Sequence, residues 1–400
     1  MSRTPRLASP GAPCQRPRTG PIAAVAAVTV AALVAGCSSS PSSEGDAPSY
    51  RTSKDVQARV LPQLAANSAD VEAADDASWV VDATVAGVEE GTAVTLLART
   101  DDGEWETVSE AETDADGRVS LTSDTAGELA VVAGESDDAI GAEVTTDDAP
   151  EGTFTDDFDD PDSVDGGPAA KWRTRSQGRT GLRTCSQSDP SAAEVADGVL
   201  VLSVLEDPAG GECQLPGRRK KYPYRINGHV GTESIFGFTY GYAAARIRTQ
   251  SARGQHAAFW MQAVGGQTEG GPEVGGAEID VIEYFGDDHP QGGLTSFTYF
   301  LDEDGEKQTV GGWLPDVEKY GDDWADEFHV FSVEWTPDAY VFRIDGQVTQ
   351  RLEGETSGRE EFLILSLLSS DYELPRFNGE LPEQMEVDWA RVWETGPGQG

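Results

Sequence analysis

This 400-residue chain predicts an all-β protein, and three observations carry the prediction. Short runs of alternating apolar and polar residues, rich in Val, Ile, Leu, Phe, Tyr and Trp, recur through 79–144 and again through 199–393. Turn chemistry separates them, as at Asp101-Asp102-Gly103, Asp114-Ala115-Asp116-Gly117 and Asp345-Gly346, the last being a strong hairpin signal. Hardly any segment shows helical periodicity, and a helix-like stretch near 56–64 is too short to carry weight. Antiparallel sandwiches fit this pattern, and the length allows two or three domains.

The N-terminus reads as an export signal. Residues 1–20 contain Arg3, Arg6, Arg16 and Arg18 and no acid, and 21–35 are a small apolar run interrupted only by Thr29. Such a run is too short to span a bilayer comfortably and suits the apolar region of a signal peptide over 1–36. Its ending, Val34-Ala35-Gly36-Cys37, resembles a bacterial lipoprotein box, which implies that Cys37 is lipidated and becomes the first mature residue. Residues 37–75, opening with Ser, Pro, Gly and charge, read as a flexible tether. Of the four cysteines, Cys14 leaves with the signal and Cys37 takes the lipid, so Cys185 and Cys213 are expected to form a disulfide in the exported chain.

A small β-sandwich is expected over 76–146, with strands near 80–81, 94–97, 105–108, 118–121 and 129–132. Its Trp105…Thr113-Asp114-Ala115-Asp116-Gly117-Arg118 arrangement resembles bacterial immunoglobulin-like accessory domains. No catalytic constellation lies in it, and its expected role is a spacer between membrane and enzyme. An acidic linker follows, then the larger region, 152–397, with strands expected around 199–204, 240–248, 258–262, 277–284, 328–335, 339–344, 347–352, 362–368 and 385–393.

The densest chemistry is Glu278-Ile279-Asp280-Val281-Ile282-Glu283, three carboxylates among residues of the type that build buried strands. In a regular strand Glu278 and Asp280 share a face and Glu283 falls on the other. A bulge near Val281-Ile282 would restore Glu283 to its neighbours' face. Tyr240-Gly241-Tyr242, Ala245-Arg246-Ile247 and Gly254-Gln255-His256-Ala257-Ala258-Phe259-Trp260 precede this hexapeptide. Glu334-Trp335-Thr336-Pro337-Asp338, Ile344-Asp345-Gly346 and Val387-Asp388-Trp389-Ala390-Arg391-Val392-Trp393 follow it.

In this order the segments closely resemble family 16 glycoside hydrolases, in the laminarinase-like branch whose signature carries an extra residue before the second glutamate. The resemblance covers roughly 153–396. It implies a concanavalin-like β-jelly roll of two curved sheets whose concave face forms a cleft, and a retaining mechanism. Residue by residue it makes Glu278 the nucleophile, Glu283 the acid/base and Asp280 the helper between them. Asp280 can hydrogen-bond to Glu278 and, as a neighbouring negative charge, help keep the proton on Glu283. Substrate contacts expected by the same resemblance are Trp260, Tyr284, Trp335, Asn227 and His256, aromatic faces for sugar rings and polar groups for hydroxyls. Asp388 matches a position that in many bacterial members helps hold a structural calcium; catalysis itself needs no cofactor. Two departures, Ala244 where glutamate is common and the lack of a histidine in Leu294-Thr295-Ser296-Phe297-Thr298, bear on subsite shape.

Charge narrows the partners. Loss of four arginines with the signal takes the formal net charge from −42 to −46, a surface that repels phosphate backbones, so nucleic acid and anionic lipid headgroups are excluded as partners. The basic run Arg218-Arg219-Lys220-Lys221 is the exception and would suit an acidic polymer. None of His229, His256, His289 and His329 has a metal-ligand spacing partner, which speaks against zinc. The expectation is a monomeric retaining endo-β-glycosidase acting on a β-1,3- or β-1,3-1,4-glucan, lipid-anchored to the outer face of the bacterial cell membrane or secreted. The alternatives are the same fold acting on a galactan or acidic polysaccharide, and a non-catalytic lipid-anchored glycan-binding protein.

Overall fold

The computed structural model describes residues 49–66, 77–134 and 138–396. The segment 1–36, expected to be a signal peptide, and Cys37 lie outside the described residues. Strands dominate, and helix is confined to single turns such as Pro272–Gly275.

The smaller β-unit packs two sheets face to face. Val56–Val60, Trp79–Val85 and Arg118–Ser123 form one. The other orders Arg51–Thr52, Ile140–Thr145, Glu128–Ala133, Ala93–Arg99 and Trp105–Glu112. Alternation explains the packing: Val81, Leu96, Leu121, Leu129 and Val131 point into the shared core, while the residues between them point to the opposite faces, where Val80, Leu97, Ala130 and Val132 are buried in further apolar clusters.

The tether expected over 37–75 is overturned where it is described. Residues 51–52 and 56–60 are strands of this unit, Val56 and Val60 enter its core, and Leu61 and Leu64 are fully buried. These apolar positions follow directly on the Ser, Pro and charge of 38–54. Burying Leu61 and Leu64 is each worth about 1.5–3 kcal/mol, enough to hold the segment down.

The larger unit is an antiparallel sandwich of jelly-roll type. Its first sheet runs Lys307–Trp313, Leu294–Leu301, Glu278–Tyr284, His256–Ala263, Glu361–Leu368 and the second half of Arg225–Gly231. The second sheet runs from the first half of Arg225–Gly231 through Val199–Glu206, Glu383–Glu394, Gly241–Arg248, His329–Trp335 and Ala339–Ile344 to Gln347–Glu353. Arg225–Gly231 crosses between sheets at Gly228, where a Cβ would sit 2.5 Å from the Ala192 carbonyl oxygen, so only glycine fits. Phe259, Met261, Ile279, Leu363 and Leu365 of the first sheet meet Leu200, Leu202, Phe331, Val333 and Val387 of the second. Asp345 and Gly346 both take positive φ, 46° and 77°, in the two-residue hairpin that their pairing predicts. Lys307–Trp313, the edge strand of the first sheet, and Arg225–Gly231, which the two sheets share, are absent from the expected strand list.

The first sheet's outer face carries the acids. The second sheet's outer face is covered: Tyr242, Ala244, Val330, Trp389 and Trp393 cluster with Leu61, Leu64, Ala65 and Val80 of the N-terminal segment. Ala244 therefore bears on this internal contact and not on subsite shape, because a glutamate there would be buried against leucines.

Cys185 and Cys213 form the expected disulfide. Closing the intervening loop is worth about 3 to 4 kcal/mol on the chain-entropy model. Together with Leu215, Tyr222 and Leu374 the pair forms a small apolar cluster.

Candidate active site

Glu278–Tyr284 is a strand because of its β-branched residues, and it is irregular at the point where its acids need it to be. Trp260 and Phe259 on one neighbouring strand pair with Asp280 and Ile282, leaving Val281 unpaired there. On the other side Asp280 pairs with Phe297 but Glu283 with Thr295, three residues of one strand against two of the next. This is the expected bulge at Val281-Ile282. Both of those side chains turn into the core, and the frame shifts so that Glu283 joins Glu278 and Asp280 on the outer face. Ser296 Oγ donates to the Val281 carbonyl at 2.8 Å, satisfying a backbone acceptor at the bulge.

The three acids sit in different environments. Asp280 is 5% exposed, while Glu278 and Glu283 are half-buried. Burial pushes Glu278 up, Lys307, Arg183 and Arg175 oppose it, and Glu283 adds to it. Asp280 is pushed well above the usual carboxylate range by burial and by the charges of Glu283 and Glu278. Burial and its two acidic neighbours thus work against the charged form of Asp280. Burial also raises Glu283, against the opposing pull of His256 and of a hydrogen bond from Thr295 Oγ1 to Glu283 Oε2 at 3.2 Å. A carboxyl raised by burial suits a proton donor.

Of the expected substrate contacts, the structure brings Trp260 and His256 to the acids. Trp260 lies in register with Asp280, partly exposed, with Nε1 donating to Ser366 Oγ at 3.1 Å. His229 stacks at 6.0 Å from its ring and the Arg175 guanidinium lies 5.5 Å away. His256 is buried beside Glu283 and not exposed to a ligand: its Nε2 is 3.9 Å from Glu283 Oε1 and its Nδ1 is 2.6 Å from Glu373 Oε2.

Three expectations are corrected. Tyr284 faces the core, one residue past the frame shift, and its hydroxyl hydrogen-bonds to Asp287. Trp335 is completely buried between the sheets, with Nε1 donating to the Ser357 carbonyl at 3.0 Å. Asn227 is also completely buried: its amide donates to Ser186 Oγ at 3.0 Å and its carbonyl accepts from the Ser369 N–H at 3.2 Å. These side chains hold the scaffold, a role that aromatic and polar identity alone does not distinguish from ligand contact.

Asp388 pairs with Arg246 at 2.8 Å, and among the described residues no group of three or more His, Cys, Asp or Glu side chains could hold a metal. Arg218 to Lys221 are exposed and engaged locally, Lys221 with Glu212 at 3.5 Å and Lys220 over the Tyr222 ring at 4.9 Å.

Sequence reasoning missed several neighbours of the acids. Phe297 and Tyr299, stacked at 5.6 Å, pair across from Asp280 and Glu278, and half-buried Trp313 pairs across from Thr295 and stacks on His289 at 4.5 Å. Alternation along 295–301 could have placed Phe297 and Tyr299 on the face of the acids. Nothing local marks Glu373, which arrives from a loop about ninety residues downstream of Glu283.

Residues 205–390 match the model of glycosyl hydrolases family 16. A glucan endo-1,3-beta-glucosidase from Cryptopygus antarcticus is 27% identical over 169 residues, 37% of this chain, and the match spans 60% of that relative's length. Among solved structures, the laminarinase catalytic domain from Thermotoga maritima is 21% identical, with 62% of this chain and 99% of that chain covered at a TM-score of 0.46. The LamA catalytic domain from Zobellia galactanivorans is 18% identical, with 61% and 97% covered at 0.46. A laminarinase from Rhodothermus marinus is 21% identical, with 61% and 97% covered at 0.46. The segment holding all three acids, and the strands on either side of them, is thus the part of the chain that matches glycosyl hydrolases family 16.

Proposed function

We propose that this protein is a retaining endo-β-glycosidase that cleaves a β-1,3- or mixed β-1,3-1,4-glucan. The bulge at Val281-Ile282 carries the reading, since it alone puts a third carboxyl beside two that a regular strand would separate from it. Retention needs a carboxylate to attack the anomeric carbon and a protonated carboxyl to give its proton to the leaving oxygen, about 5–5.5 Å apart. Glu278, the less buried member of its pair with Asp280 and beside Lys307 and Arg175, is the nucleophile. Glu283, raised by burial and fixed by Thr295, is the acid/base. Asp280 supplies a carboxyl between them whose neutral form burial favours. Trp260, Phe297, Tyr299 and Trp313 offer ring faces for sugars.

A galactan or an acidic polysaccharide is the second reading, favoured by the cations Arg175, Arg183 and Lys307 around Glu278. Reducing-end release from laminarin, lichenan, agarose and carrageenan separates the two. We expect laminarin or lichenan to be cut with the β-anomer appearing first in the product. Release from carrageenan or agarose alone favours the second reading, and no release from any polymer favours a glycan-binding protein without turnover.

Export with lipid on Cys37 belongs to the same reading, with a monomer at the outer face of the membrane and the small sandwich as its spacer. Cys37→Ala is expected to move the protein from the membrane fraction to the medium or to block its processing. Unchanged membrane retention would overturn the anchor. A structural calcium at Asp388 would have to compete with Arg246 for the same carboxylate.

A further inference from the structure

The groups around Glu283 include one ordered pair that the two-carboxylate mechanism does not use. His256 opens the strand His256–Ala263 next to the acids and is 3% exposed. Its Nδ1–H points at Glu373 Oε2, 2.6 Å away, the length of a charge-assisted hydrogen bond. That contact fixes the ring so that Nε2 faces Glu283 Oε1 at 3.9 Å. Phe285 covers the ring from the side, its centroid 5.2 Å away.

Glu373 is itself firmly held. Its N–H donates to the Ser370 carbonyl at 3.1 Å, and the preceding Asp371 accepts from the Thr184 N–H at 2.9 Å and the Cys185 N–H at 3.2 Å. Leu374 packs against the Cys185–Cys213 disulfide. The disulfide, the 182–185 segment and the 370–374 loop therefore set where Glu373 stands, and through it how His256 meets Glu283.

We propose that His256 and Glu373 are positioning residues for Glu283: Glu373 holds the imidazole of His256 in its charged, fixed orientation, and that charge stabilises the Glu283 carboxylate. This rests on the assignment of Glu283 as acid/base. In the first half of turnover Glu283 gives its proton to the leaving oxygen and becomes a carboxylate. In the second it takes a proton from the attacking water and is restored. His256 keeps both its protons throughout. Without a fixed cation, burial and the surrounding acids would hold Glu283 protonated too strongly for the second half.

The electrostatics of the site agree with the geometry. Burial works to lower His256, but the charge and hydrogen bond of Glu373, with Glu283, outweigh it and raise the imidazole, against a smaller opposing effect of Arg183. In turn His256 pulls Glu283 down while Glu373 pushes it up. Tyr372, on the Glu373 loop, also feels Glu283 and Glu373.

The test is the pH profile of kcat/KM on laminarin for the wild type, His256→Asn and Glu373→Gln, with Glu283→Ala alongside. Losing the cation lets the Glu283 pKa rise, so His256→Asn should move the alkaline limb upward by about one pH unit or more, with KM little changed. Glu373→Gln has two opposed effects: directly it lowers Glu283, and by discharging His256 it raises it. An upward shift in Glu373→Gln supports the dyad; a downward shift, or an unmoved limb in His256→Asn, overturns it. Should His256→Asn fail to fold, NMR titration of the wild-type imidazole decides. His256 should titrate above its ordinary value and fall back towards it in Glu373→Gln, whereas a neutral ring throughout pH 5–8 overturns the proposal. Full activity in Glu283→Ala would instead sink the acid/base assignment on which the dyad rests.

Discussion

Glu278→Ala is expected to reduce kcat on the polymer by more than about 10⁴-fold while oligosaccharide binding persists. Removing the proposed nucleophile would forbid the glycosyl-enzyme intermediate, but Trp260, Phe297, Tyr299 and Trp313 are untouched and still offer their ring faces. Glu283→Ala should cost about 10²–10⁴-fold on the polymer, the ordinary worth of general acid catalysis, and regain its first step on substrates with activated leaving groups that need no proton. Asp280→Asn should lose least. Burial already favours the neutral carboxyl at Asp280, so an amide of nearly the same shape preserves its usual charge state. Single-turnover and steady-state kinetics on aryl glycosides and on laminarin measure this order. Equal loss in all three variants on the activated substrate, or inversion at the anomeric centre, would overturn the mechanism.

The second large effect concerns stability and lies on the opposite side of the molecule. Arg343 is 1% exposed in its side chain, and its Nη2 sits 2.6 Å from Asp82 Oδ2 and 3.2 Å from Glu334 Oε2. Glu334 also takes Arg59 Nη1 at 2.6 Å and the Tyr242 hydroxyl at 3.1 Å. Asp82 and Arg59 belong to the small sandwich, Glu334 and Arg343 to the second sheet of the larger one. Glu334→Ala leaves the buried Arg343 with half its compensation, and breaking a buried pair in this way costs about 3–5 kcal/mol. Glu334→Gln keeps the hydrogen-bonding shape and should cost less. Denaturant unfolding measures both; a loss under about 1 kcal/mol in Glu334→Ala would show the network to be solvated. The same network makes acid destabilising. Burial raises the Asp82 carboxyl, but Arg343, Ser120 and Arg59 together bring it below its ordinary value. A folded-state pKa below the unfolded one contributes stability that is present above the ordinary carboxylate range and lost as pH falls through the lowered value.

Much of this protein is legible in its sequence because the relevant physics is local. Side-chain alternation and turn residues are properties of a few consecutive positions, so the strands from Trp79–Val85 to Glu383–Glu394 were largely predictable, as was the Asp345-Gly346 hairpin. The bulge was predictable too, since three acids at 278, 280 and 283 can share a face only if one residue is added to the period. What the sequence by itself determined is therefore an all-β chain, a strand carrying three carboxyls on one face, and a pair of cysteines able to bond.

The tertiary structure decided which face of an element meets which neighbour, and there the sequence carries no local signal. Tyr284 and Trp335 have the composition of sugar-stacking residues, yet the frame shift at Val281-Ile282 and the sheet packing turn both into the core. Leu61 and Leu64 are unremarkable apolar residues in a polar stretch until the second sheet's outer face is seen to need covering. Glu373 sits in a loop without periodicity, and only the disulfide-anchored 182–185 segment brings it within 2.6 Å of His256. Period and turn chemistry act over a few residues, whereas burial and charge pairing act over ångströms between positions tens to hundreds of residues apart, so only the folded chain defines them.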